Sequence, residues 1–127
     1  MPLVVVMLFL AFSSDLSSAG PSGLSALVGT WIQDQVGPIL THERVYRFNP
    51  DGSYEYLFTA RNTGSINRKI LVRERGRFAV NGSRLVISPK SGRPKTFTWR
   101  IEKDPYVGDL RLVFALPDGT LDVYYRK

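Results

Sequence analysis

The sequence predicts an all-β fold: an eight-stranded antiparallel up-and-down barrel. Three observations lead there. Apolar and polar residues alternate in eight separate stretches between Val28 and Arg126. Segments rich in Gly, Pro, Asn and Asp separate most of these stretches. No part of the chain after Ala19 carries convincing apolar spacing of the helical kind. Strands joined by short turns pair as antiparallel neighbours. An open meander would leave unpaired edges, and closure into a barrel removes them. A two-sheet sandwich is the alternative architecture.

The elements follow in order. The first strand is Val28 to Gln35, and a loop containing Val36 to Leu40 leads to the second, Glu43 to Phe48. Asn49 to Gly52 then turns the chain, because Pro presets φ and Gly accepts a positive φ. The third strand, Ser53 to Ala60, carries Tyr54, Tyr56 and Phe58 on one face. The fourth is long. Ile70, Val72, Glu74, Gly76, Phe78 and Val80 share its inner face, and Lys69, Leu71, Arg73, Arg75 and Arg77 its outer one. Gly76 interrupts it and predicts a bend or bulge. Asn81-Gly82 is a strong hairpin signal. The fifth strand, Arg84 to Ser88, turns Leu85 and Ile87 inward. The sixth, Lys95 to Lys103, turns in Phe97, Trp99 and Ile101, and the seventh, Asp109 to Leu116, turns in Leu110, Leu112 and Phe114. Pro117 to Gly119 turns into the eighth, Thr120 to Arg126, with Tyr125 a further inward candidate.

Ahead of the barrel, Leu3 to Phe12 is an unbroken apolar run, too short to span a bilayer. It matches the core of a secretory signal peptide, with Ser17-Ser18-Ala19 as the cleavage region, although the leading residues lack Lys and Arg. The expectation is a signal peptide over residues 1–19, a flexible segment over 20–26 and one barrel domain over 27–127 of an exported, periplasmic or extracellular protein. With no cysteine, such a domain holds together without disulfides, and cysteine catalysis and thiolate metal sites are excluded. Ten of the 17 Lys and Arg residues lie between Arg61 and Lys95 against a single acid, Glu74. That segment carries +9 and the rest of the chain −3. Such a basic sector suits an anionic envelope component or serves solubility; nucleic acid is not the expected partner.

Gly29-Thr30-Trp31 at the head of the first strand resembles the Gly-x-Trp signature of the lipocalin and wider calycin barrels. The stretch from Arg75 to Lys127 looks like the short lipocalin-like domains of exported bacterial proteins. The resemblance covers roughly Leu27 to Arg126. It implies that Trp31 closes one end of the barrel and that Arg126 packs on it, with Gly29 beside them. A guanidinium over an indole is a favourable contact. The chain is shorter than a full lipocalin and lacks both the C-terminal helix and the disulfide many of them carry, so its interior is either a small pocket or filled.

For function, the expectation is non-catalytic binding of a small apolar or amphipathic molecule, with Tyr46, Tyr56, Glu74 and Trp99 lining the pocket. Arg73, Arg75 and Arg77 form an outward basic ladder that suits an anionic partner or cross-strand acids. The alternative is a protein-interaction module, such as an inhibitor of an envelope hydrolase. No cofactor or metal is expected. His42 is the only histidine, no G-x-S-x-G motif accompanies it, and it reads as a solvated residue at a loop edge. Asp51, Asp104, Asp109 and Asp118 fall in turns, where Asp side chains serve the backbone.

Overall fold

The structure is a computed structural model that describes residues 21–127; the expected signal peptide lies outside the described residues. One short helix, α1 (Pro21–Leu27), precedes eight strands. These are β1 (Gly29–Val36), β2 (Leu40–Phe48), β3 (Ser53–Asn62), β4 (Lys69–Asn81), β5 (Arg84–Pro89), β6 (Lys95–Lys103), β7 (Leu110–Ala115) and β8 (Leu121–Arg126). Each strand pairs antiparallel with the next, and β8 returns to β1 through Trp31↔Arg126 and Ile32↔Tyr125. The barrel is closed and up-and-down.

Local chemistry explains the turns. At the β2–β3 hairpin the Ser53 amide donates to Asp51 Oδ1 at 2.9 Å, and Gly52 takes φ +89°. The β4–β5 hairpin sits one residue later than expected. Asn81 pairs with Arg84, and Gly82-Ser83 forms the two-residue loop. Gly82, at φ +61°, supplies the left-handed conformation that the turn requires.

Further differences have physical causes. The segment expected to be flexible is helical from Pro21 to Leu27. Leu27 is wholly buried beneath the barrel, which anchors the helix. Gly76 is not a bulge; it pairs in register with Tyr54 and Pro89. A methyl group there would overlap the Ser88 carbonyl oxygen and come within 2.8 Å of the Pro89 Cα, so close backbone approach is what calls for glycine. The register shift lies instead between Phe58 and Thr59, opposite Ile70 and Val72. Ile70 and Val72, expected inside, are exposed, because β4 extends there past the end of β5. Leu110 is likewise exposed beside the β6–β7 loop. On β8 the inward tyrosine is Tyr124, not Tyr125. Pairing Arg126 with the inward Trp31 fixes that phase, because alternate residues face alternate sides.

The core cluster runs from Leu27 and Trp31 through Phe48, Tyr54, Phe78, Leu85, Ile87, Trp99, Leu112 and Phe114 to Tyr124. The lower end, at α1, is closed. The Trp31 indole N–H donates to the Leu27 carbonyl at 2.8 Å. The Arg126 guanidinium lies 4.5 Å from the Trp31 ring centroid and donates to the Ala26 carbonyl at 2.6 Å. A side chain on Gly29 would come within 3.5 Å of that guanidinium. The β1–β2, β3–β4, β5–β6 and β7–β8 connections surround the opposite end.

Candidate functional site

Above the Trp31 plug the inward faces change character. Gln33 follows Trp31 by two residues, Arg44 precedes Tyr46 by two, and Asp122 precedes Tyr124 by two. Alternation therefore brings all three to the interior. Gln33 pairs with Arg44 and Arg44 with Phe58. One level below, Tyr46 pairs with Tyr56 and Tyr56 with Glu74. Gln33, Arg44, Tyr46, Tyr56, Glu74 and Asp122 are all half-buried.

The contacts among them are specific. The Gln33 amide donates to Asp122 Oδ1 at 2.6 Å and to the Val123 carbonyl at 3.0 Å. Arg44 approaches Gln33 Oε1 at 3.4 Å and lies 5.0 Å from the Phe58 ring centroid. Tyr54 donates its hydroxyl to Glu74 at 2.7 Å. The Tyr46 ring meets Tyr56 at 4.7 Å between centroids and Tyr124 at 5.4 Å. These rings form an aromatic floor beneath a polar mouth.

Burial, more than any neighbour, pushes the phenols of Tyr46, Tyr54, Tyr56 and Tyr124 above their ordinary value. Carboxylates add to this: Glu74 at Tyr54, and Asp122 at Tyr124. Arg44 pulls the other way at Tyr46, Tyr56 and Tyr124. Phenols held protonated are hydrogen-bond donors, not bases or nucleophiles near neutral pH. The mouth therefore offers hydroxyl donors, one guanidinium, an amide and two carboxylates around aromatic rings.

Of the four residues expected to line a pocket, Tyr46, Tyr56 and Glu74 come together. Trp99 does not: its indole N–H bonds the Gly82 carbonyl at 3.0 Å, and its ring is buried in the core cluster. Sequence reasoning missed Gln33, Arg44 and Asp122. The alternation that placed Tyr46 inward also carries Arg44, whereas Asp122 was hidden by the misassigned phase of β8. His42 is not at a loop edge; it lies within β2, stacked on Phe58 at 5.5 Å.

Arg73, Arg75 and Arg77 face outward, and a single acid, Glu55, is shared by Arg73, Arg75 and Arg47, so the ladder keeps an excess of positive charge. Arg75 Nε is 3.0 Å from Glu55, and Arg73 Nε is 3.9 Å away. Arg77 donates to the Asp51 carbonyl at 2.7 Å. Asp104 and Asp118 serve turns, accepting the amides of Tyr106 and Val107 and of Thr120 respectively. Among the described residues no three His, Asp or Glu side chains gather as a metal site, and no helix is long and apolar enough to cross a membrane. No protein-family model matches the chain, and neither a curated protein nor a solved structure is significantly similar to it.

Proposed function

We propose that this chain is a non-catalytic, lipocalin-like binding protein, acting after export, that holds a small amphipathic molecule in the barrel mouth. Its acidic head sits on Arg44, and its apolar part lies on Phe58 and the tyrosine floor. Arg44 is the observation that carries this reading. It faces the interior, is half-buried, and has no carboxylate within 4.0 Å among the described residues. Glu74 and Asp122 share the mouth but do not pair with Arg44 directly, so an anionic head takes up guanidinium N–H donors that no carboxylate accepts. Protonated phenols beside it suit carboxylate or hydroxyl oxygens.

Calorimetric titration with dodecanoate tests the reading. Binding to the wild type, weakened roughly tenfold or more in Arg44→Gln, is the expected result, since hydrogen bonds to charged groups contribute about 1.5–3 kcal/mol. Arg73→Gln, on the outer face, leaves the affinity unchanged. Absence of binding, or equal affinity in Arg44→Gln, refutes it.

A second reading is supported by a different surface. Tyr106 and Val107, in the β6–β7 loop, are 93 % and 67 % exposed. Such a tip suits a protein partner, for instance an envelope hydrolase that the barrel inhibits. A defined, stoichiometric hydrolase complex lost on Tyr106→Ser supports this second reading; a complex that survives the substitution counts against it.

A further inference from the structure

We propose that the open rim of the barrel is a docking surface for the headgroup layer of an anionic lipid bilayer. Two aliphatic tips stand on this rim. Ile39, between β1 and β2, is 74 % exposed, and Ile66, between β3 and β4, is 91 % exposed. Their loops are tied together: the Thr63 amide donates to the Ile39 carbonyl at 2.8 Å, and the Thr63 hydroxyl to the Gly37 carbonyl at 2.7 Å. The two tips are therefore presented as one unit. Val36, Leu40 and Ile70 extend the apolar surface around the same end. Single exposed apolar residues are ordinary, but a group of them on one edge is a contact surface.

Charge says what that surface meets. Between the two hairpins an open depression of about 380 Å³ is lined by Leu40, Arg61, Arg68 and Lys69. Of the nearby acids, Glu43 is paired with Arg68 at 2.9 Å, and Asp34 lies opposite Glu43 on β1. The Arg61 guanidinium also donates to the Ser65 carbonyl at 3.1 Å, which holds it beside the second tip. The rim thus sets cations just behind aliphatic tips. That is the order in which an anionic membrane presents its layers: hydrocarbon within, phosphate outside it. The opposite end also exposes an apolar tip, Tyr106-Val107, but its loop holds two acids, Asp104 (paired with Arg111 at 3.6 Å) and Asp109, and no cation from 104 to 109, so the rim with Arg61 and Lys69 is the better match to an anionic surface. The inference does not depend on what the mouth binds.

Vesicle co-sedimentation of the full chain tests it, comparing phosphatidylcholine alone with phosphatidylcholine containing phosphatidylglycerol. Any binding contributed by the apolar run Leu3 to Phe12 is common to both vesicles, so the readout is the preference for anionic over neutral vesicles. The wild type is expected to show such a preference, weakening as salt rises. Arg61→Gln with Lys69→Gln reduces it by roughly fivefold per charge. Ile39→Ser with Ile66→Ser lowers binding to anionic vesicles with an unchanged thermal melt, and Tyr106→Ser has no effect. No preference in the wild type overturns the proposal. So does a preference that both rim variants retain, or one that Tyr106→Ser removes.

Discussion

Substituting Trp31 with Leu and Arg126 with Gln, singly and together, probes the closed end of the barrel. The Trp31 ring is fully buried, its N–H bonds the Leu27 carbonyl at 2.8 Å, and the Arg126 guanidinium lies 4.5 Å from its centroid. Removing a buried large aromatic costs about 3–5 kcal/mol when truncated to Ala, and Leu retains part of that volume. The lost indole hydrogen bond adds about 1 kcal/mol. Trp31→Leu is therefore expected to cost about 3 kcal/mol, a large share of the roughly 5–15 kcal/mol a domain has. Arg126 is exposed to solvent on its outer side, so its contact with the ring is worth about 0.5–1 kcal/mol. The double-mutant cycle isolates that coupling from the hydrogen bond to the Ala26 carbonyl, which Arg126→Gln loses in either background. Urea unfolding followed by far-ultraviolet circular dichroism measures all four stabilities, with an unchanged denaturant slope expected. A coupling below about 0.3 kcal/mol, the ordinary error of additivity, would refute the barrel-closing role assigned to the pair.

Other consequences can be measured as directly. Gly76→Ala pushes a methyl group into the Ser88 carbonyl and the Pro89 backbone, and an overpacking cost of about 1–3 kcal/mol or more is expected in the same urea assay. A variant as stable as the wild type contradicts the close approach of β4 and β5. The buried phenols give an alkaline limit. Because folded Tyr46, Tyr54 and Tyr124 hold their protons above the usual phenol range, their contribution is present below about pH 10 and lost as pH rises past it. Absorbance at alkaline pH should show fewer than the six tyrosines ionising while the barrel stays folded, the remainder appearing as dichroism is lost. All six ionising from a folded chain would exclude the buried floor. On the acid side, the Tyr106 amide first, then the Val107 amide, the Tyr125 hydroxyl and Arg111, hold the Asp104 carboxyl below its ordinary value. Its contribution is thus present above about pH 4 and lost as pH falls, so Asp104→Asn flattens the acid side of the stability profile. An unaltered profile contradicts that role.

The strand alternation made the barrel legible because each strand has one apolar face and tight turns leave little choice of partner. The match of Trp31 with Arg126 comes from the resemblance to the lipocalin Gly-x-Trp signature, and barrel closure is what brings the two ends of the chain together. What alternation could not show is where the pairing slips. The shift between Phe58 and Thr59 and the early end of β5 are tertiary events, and they leave Ile70 and Val72 in solvent. On β8 the sequence points to Tyr125 as the inward tyrosine, whereas the pairing of Arg126 with Trp31 turns Tyr124 in, and that phase decides that Asp122 faces in. Arg44 was legible in principle, two residues from Tyr46. A cation on an apolar face is easily read as an edge position, and only the cross-strand neighbours Gln33 and Phe58 show it to be interior. Trp99 lies apart from the other three expected lining residues, in the core cluster with its N–H on the Gly82 carbonyl, a partner supplied by a hairpin that local sequence does not connect to it.

The most direct measurement is a nuclear magnetic resonance titration of the isotope-labelled protein with dodecanoate, following side-chain and backbone N–H signals. If the mouth is the binding site, the Arg44 Nε–H and the Gln33 side-chain amide shift together with the backbone amides of Tyr46, Tyr56 and Asp122. In that case Arg73, Arg75 and Arg77 on the outer wall stay fixed. Shifts confined to the outer wall, or no shifts at all, would contradict a ligand held on Arg44 inside the barrel.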